Sequence, residues 1–168
     1  HAEAIRVNSR DAWAYARRGM ARMEKGEFDQ AVADLTEAVT IDPTYAFGFG
    51  QRAHALFRKR LITKKDGWEG AIADYSEAIK LDPISVEAYK NRGNAYYNRN
   101  DYDRAIADYN EVIRLDPNHA LPSHAPAYLN RGLAYFSKKD YDRAIGDYTE
   151  AISLVVEREP QLSPDLAQ

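Results

Sequence analysis

An all-α stack of helical hairpins is the fold this sequence predicts, and three observations predict it. One phrase recurs four times: Ala31-Val-Ala-Asp-Leu-Thr-Glu-Ala, Ala71-Ile-Ala-Asp-Tyr-Ser-Glu-Ala, Ala105-Ile-Ala-Asp-Tyr-Asn-Glu-Val and Ala144-Ile-Gly-Asp-Tyr-Thr-Glu-Ala. A second phrase precedes each copy, as Tyr15-Ala-Arg-Arg-Gly, Phe49-Gly-Gln-Arg-Ala, Tyr89-Lys-Asn-Arg-Gly and Tyr128-Leu-Asn-Arg-Gly. Within both phrases apolar residues return at helical spacing, for example Ile106, Tyr109, Val112 and Ile113.

The starts of the first phrase lie 40, 34 and 39 residues apart, a period that marks a repeat array. An aromatic residue stands three positions ahead of each copy: Phe28, Trp68, Tyr102 and Tyr141. Short polar turns such as Lys25-Gly26-Glu27 and Asn100-Asp101 separate the two helices of a unit. Asp42-Pro43, Asp82-Pro83 and Asp116-Pro117 close three of the units. Proline lacks an N–H and disfavours helix at the residue before it, so the second helix stops there. Gly19, Ala53, Gly93 and Gly132 admit a closely packed facing helix, and Ala31, Ala71, Ala105 and Ala144 reciprocate from the second helix. A lone hairpin would leave one apolar face in water, so the units must stack.

Four in-phase copies carry a family resemblance over nearly the whole chain. The sequence resembles the tetratricopeptide repeat family, whose signature has aromatic, small and proline positions filled in the third unit by Tyr89, Gly93, Tyr96, Ala105, Tyr109 and Pro117. The Asn-Arg-Gly and Asp-Tyr-Asp-Arg-Ala-Ile phrasing is similar to bacterial members. The resemblance implies a right-handed α-solenoid of stacked antiparallel hairpins, a superhelix of about four repeats plus a partial N-terminal one. The expected units are 12–45, 46–85, 86–119 and 125–158 within a single array over 1–158, with an inserted linker at 120–124 and a tail at 159–168. Residues 1–11 read as the end of a preceding repeat, because Glu3-Ala-Ile-Arg-Val-Asn matches Glu111-Val-Ile-Arg-Leu-Asp.

One departure from the family occurs in every copy. Arg18, Arg52, Arg92 and Arg131 stand where leucine is usual, and each unit also carries Asp34, Asp74, Asp108 or Asp147 on its second helix. These predict a ladder of Arg–Asp pairs; arginines that merely extend to solvent are the alternative. The second unit is six residues longer than the family's 34, with the excess near 58–67. That insertion lengthens either the turn or the first helix, and five of the eight residues from Arg58 to Lys65 are basic. In the fourth unit Leu154-Val-Val-Glu-Arg-Glu-Pro160 replaces Asp-Pro, so its second helix is expected to continue towards Glu159.

Composition narrows the function classes. With 23 basic and 26 acidic residues the net charge is −3, a poor match to nucleic acid, whose binding rests on neutralised phosphates. Cysteine is absent, which removes disulfides and thiolate metal sites without choosing between cytoplasm and periplasm. No apolar run is long enough to span a membrane. The start, His1-Ala2-Glu3-Ala4, is unlike a signal peptide and lacks methionine, as expected of a chain that begins inside a longer protein. No His-Glu-x-x-His pair or phosphate-binding glycine loop occurs, and His119 and His124 form only a weak metal signal on a linker. The recurring Glu37, Glu77, Glu111 and Glu150 read as scaffold surface, since a catalytic site would be unique. No enzyme, cofactor or metal is therefore expected.

What remains is a protein- or peptide-binding adaptor. The resemblance implies a concave groove lined by the first helices, holding an extended peptide or a helix. By position its lining takes Trp13, Arg17 and Met20 from unit one, and Phe47, Gln51, His54 and Arg58 from unit two. Units three and four add Lys90, Asn91 and Asn94, then Asn130 and Leu133. Lys90, Asn94 and Asn130 match three of the five positions with which co-chaperone members hold a C-terminal carboxylate; the other two would come from a following hairpin. The apolar members, Trp13, Met20, Phe47 and Leu133, suit a partner's hydrophobic side chains, unless a preceding repeat covers Trp13. Gly48 and Gly50 would permit close backbone approach. The alternatives are self-association through uncapped ends, or a regulatory domain of a longer protein.

Overall fold

The computed structural model describes residues 2–63, 68–115 and 124–156, with side chains from residue 11 onward in the first helix and from 125 onward in the seventh. These residues form eight helices and no strand: α1 Ala2–Glu24, α2 Phe28–Ile41, α3 Ala46–Thr63, α4 Trp68–Leu81, α5 Val86–Asn98, α6 Tyr102–Leu115, α7 His124–Ser137 and α8 Tyr141–Val156. Each odd helix pairs with the even helix after it, and each even helix with the next odd one. The odd helices also touch one another in sequence, α1 to α3 to α5 to α7, whereas among the described residues no two even helices meet. Such a stack curves, with the first helices of the hairpins on its inner side.

The turns inside three hairpins share one solution. Gly26, Asn100 and Lys139 adopt left-handed φ values of 78°, 64° and 64°. At each, two backbone bonds close the helix end, such as Gly26 N–H to the Met23 carbonyl at 3.0 Å and Glu27 N–H to the Arg22 carbonyl at 2.9 Å. Asn100 with Asp101, and Lys139 with Asp140, repeat that pattern, which satisfies carbonyls the helix leaves open. At the other end of a unit the Asp42 carboxylate accepts the Thr44 N–H at 2.9 Å, so the Asp-Pro pair both stops a helix and builds the next turn.

Packing is dominated by small residues against large ones. Ala31, Ala71, Ala105 and Ala144 are fully or almost fully buried. A Cβ on Gly19 would meet Leu35 at 2.8 Å, on Gly93 would meet Tyr109 at 2.8 Å, and on Gly132 would meet Tyr148 at 2.7 Å. The glycines thus set the separation between the two helices of a hairpin. Gly48 is equally confined, 2.7 Å from Tyr45 and 3.1 Å from Val39. Gly50 is not: a Cβ there would touch nothing within 4 Å.

The Arg–Asp ladder is present in all four hairpins. Arg92 Nε and Nη2 donate to the two Asp108 oxygens at 2.9 and 2.7 Å, and Arg18, Arg52 and Arg131 treat Asp34, Asp74 and Asp147 alike. The aspartates are buried. A third donor, Nη1, links neighbouring units: Arg92 reaches Ser76 at 3.0 Å and Arg131 reaches Asn110 at 2.6 Å. Among the described residues Arg18 meets no preceding hairpin, and its side chain is 58% exposed against 18% for Arg92.

Three further features concern the unit boundaries. Helix α1 runs unbroken from Ala2 to Glu24. Residues 2–11 thus share one helix with the start of unit one, and Asn8-Ser9 carries no proline to stop it. The second unit's excess extends α3 to 18 residues, against 13 in α5. Its basic groups are engaged locally: Lys59 pairs with Asp29 at 2.5 Å, Arg58 lies over the Phe28 ring and Arg60 over the Trp68 ring. Asp116-Pro117, the linker at 120–123, the lysines at 64–65 and the tail from 157 onward lie outside the described residues.

Candidate functional site

The inner row of first helices carries the predicted lining, and its members differ in how committed they already are. Trp13 and Phe47 occupy the same repeat position on α1 and α3 and remain 55% and 45% exposed. The Arg17 guanidinium lies 5.3 Å from the Trp13 ring centroid, within cation–π range. Met20 packs into the core of unit one. Leu133 is 39% exposed on α7. Arg58 sits 3.6 Å from Glu24 across the α1–α3 junction.

The polar members fall into two networks. In the first, Lys90 Nζ donates to Glu87 at 2.6 Å and Asn91 Nδ2 donates to the same carboxylate at 2.9 Å. Burial pushes Glu87 up, but the hydrogen bond from Lys90 and its charge outweigh that and hold the carboxyl below its ordinary range. In the second, Asn94 Oδ1 accepts from the Tyr109 hydroxyl at 2.8 Å and from Asn130 Nδ2 at 3.1 Å. Lys90, Asn94 and Asn130 are therefore brought to one row, while the Lys90 ammonium is already engaged by Glu87.

Cavities lie between successive first helices. One of about 220 Å³ is lined by Phe47, Gly50, Gln51 and His54 of α3, Glu87, Ala88 and Asn91 of α5, and Tyr75 and Ala78 of α4 beneath. One of about 270 Å³ follows between α5 and α7, lined by Asn94, Tyr97, Asn98, Asn130 and Leu133 over Tyr109. His54 is half-buried; loss of hydration lowers its pKa, and the nearby Arg58 charge adds to that. The imidazole is thus neutral at pH 7 and offers one donor and one acceptor. Tyr75 was not among the residues predicted for the site, because the reading drew only on first helices. Aligning Leu35, Tyr75, Tyr109 and Tyr148 beside Met20, His54, Asn94 and Leu133 would have exposed it.

Among the described residues no three acidic or histidine side chains converge to hold a metal ion, and no helix is long and apolar enough to cross a membrane. The sequence pattern described as tetratricopeptide repeat matches residues 12–45, 86–119 and 125–154, and a second pattern described as TPR repeat matches 63–99. The chain belongs to the tetratricopeptide repeat family. As a tetratricopeptide repeat array it is a protein-interaction module. Its backbone is similar to the crystal structure of MamA, with a TM-score of 0.78 at 25% identity over 88% of this chain and 80% of that one. The Arabidopsis OM64 TPR domain gives 0.65 at 23% identity over 76% and 96%. The first TPR of Spaghetti (RPAP3), solved with the HSP90 peptide SRMEEVD, gives 0.61 at 21% identity over 88% and 95%. No curated protein sequence matches the chain significantly.

Proposed function

We propose that this tetratricopeptide repeat array is an adaptor that holds an extended peptide or protein segment along its row of first helices. The observation that carries the reading is the exposure of Trp13, Phe47 and Leu133 on that row. Aromatic and aliphatic groups of this size, presented by rigid helices over small cavities, are the kind of surface that anchors a partner. The Spaghetti repeat, which holds a peptide on the same fold, supports it. Arg17, Gln51, His54, Arg58, Lys90, Asn91, Asn94 and Asn130 supply the polar contacts between those anchors. Displayed random linear peptides selected on the chain test this: Trp13→Ala and Phe47→Ala are each expected to weaken a selected peptide about tenfold or more. Peptides that bind both variants as tightly as the parent would contradict it.

A second reading, self-association, is favoured by the outer face of α8. Ile145 and Ile152 are 63% and 65% exposed, whereas Val39 and Ile79, at the repeat position of Ile152, are buried by the following unit. A second copy seated there would be lost on Ile152→Lys. Sedimentation showing the same mass before and after that change, at high concentration, would remove this reading.

A further inference from the structure

The cavities between α3 and α5 and between α5 and α7 share three repeat positions, which His54, Tyr75 and Asn91 fill in the first and Asn94, Tyr109 and Asn130 in the second. Over Tyr109, the facing positions are Asn94 and Asn130, and the Tyr109 hydroxyl donates to the Asn94 carboxamide at 2.8 Å. Over Tyr75, the corresponding positions are His54 and Asn91. Asn91 is turned to Glu87. Tyr75 is 1% exposed, and among the described residues its hydroxyl is the buried side-chain polar atom without a hydrogen-bond partner. A buried donor left unpaired is costly, so such groups are rare in folded proteins.

We propose that the α3–α5 cavity receives the side-chain carboxamide of a glutamine or asparagine from the bound segment, whose carbonyl oxygen accepts the bond that the Tyr75 hydroxyl leaves unmade. The inference rests on the reading of the inner row as a peptide site and names the side chain that site selects. The chain itself shows the chemistry, since a carboxamide is what the equivalent Tyr109 meets. The other side-chain classes fit less well. An aliphatic group leaves the hydroxyl unpaired. An ammonium brings no acceptor, and a carboxylate is repelled by Asp82 and Glu87, which line the same cavity. The cavity, about 220 Å³, is several times the ~30 Å³ that a water takes in the liquid. The amide NH2 finds acceptors in Gln51 and Glu87, and the neutral His54 offers another.

The test selects random linear peptides on the 168-residue chain, then titrates an enriched peptide and its Gln→Leu counterpart against the parent and Tyr75→Phe. Enriched sequences are expected to share a glutamine or asparagine at one position. Tyr75→Phe should weaken the glutamine peptide about tenfold and leave the leucine peptide unchanged, the coupling that marks a direct contact. Tyr75→Phe removes an unpaired hydroxyl, so its thermal midpoint should match or exceed the parent's. Should it fail to fold, Gly50→Leu places a side chain at the open cavity wall and should block the glutamine peptide by tenfold or more. Selected peptides with no amide preference, or equal binding by Tyr75→Phe and Gly50→Leu, would overturn the inference and mark the cavity as one filled by water. Failure to enrich any peptide would instead overturn the underlying peptide-site reading, and this inference with it.

Discussion

Arg92 closes its hairpin through two bonds to Asp108 and reaches back to Ser76 of the preceding hairpin through a third. The guanidinium fork suits this double duty in a way a lysine would not. Removing one partner leaves a buried charge unpaired, so Arg92→Leu should cost about 3 kcal/mol in urea unfolding. The double variant Arg92→Leu with Asp108→Leu should recover most of that loss, and equal costs for single and double variants would contradict the pairing account. His54 gives a pH signature. Its pKa lies below the ordinary 6.5 in the folded chain, chiefly through burial, with Arg58 and Lys90 lowering it and Glu87 and Glu24 opposing them. The unfolded chain takes up that proton first, so stability should fall as pH drops below about 6.5. Measured from pH ~7 to ~5.5, above most carboxylate titration, the parent should show this slope. His54→Gln should flatten it.

At the scale of the element, the hairpin turns were legible as short polar stretches, but their shared left-handed closure was not. Asn100 suits that conformation, while Lys139 at φ 64° adopts it only because Asp140 N–H and its own N–H reach the helix end. Lys139→Gly should therefore raise stability by about 1 kcal/mol, and a decrease in the unfolding midpoint would contradict this. The repeated Arg and Asp positions announced the ladder, because identical spacing in four units implies identical neighbours. The link from Nη1 to the previous unit was hidden, since its acceptor is Thr36, Ser76 or Asn110 by turn. Sequence placed the insertion near 58–67 but left open whether turn or helix grew. The structure extends α3, where Arg58, Lys59 and Arg60 find aromatic and acidic partners on α2 and α4. Of the basic cluster, the three described members are thus matched internally.

At the scale of the molecule, each hairpin meets only its neighbours among the described residues, so stability accumulates from units and junctions and not from one central core. That organisation was readable from the period alone, because apolar faces at fixed intervals have no other place to go. The family resemblance implied an inner row of first helices, and α1, α3, α5 and α7 do touch one another in sequence. What sequence could not show was which positions are already engaged. Lys90 looks like a free cation until Glu87 is seen 2.6 Å away, and Tyr75 looks like ordinary core until its hydroxyl is traced. The central claim is that this row holds the guest chain, and backbone amide shifts on adding a selected peptide test it most directly. The account predicts shifts concentrated on α1, α3, α5 and α7, around Trp13, Gln51, His54, Asn91 and Asn94. Shifts confined to the even helices, or to the outer face of α8 around Ile145 and Ile152, would contradict it.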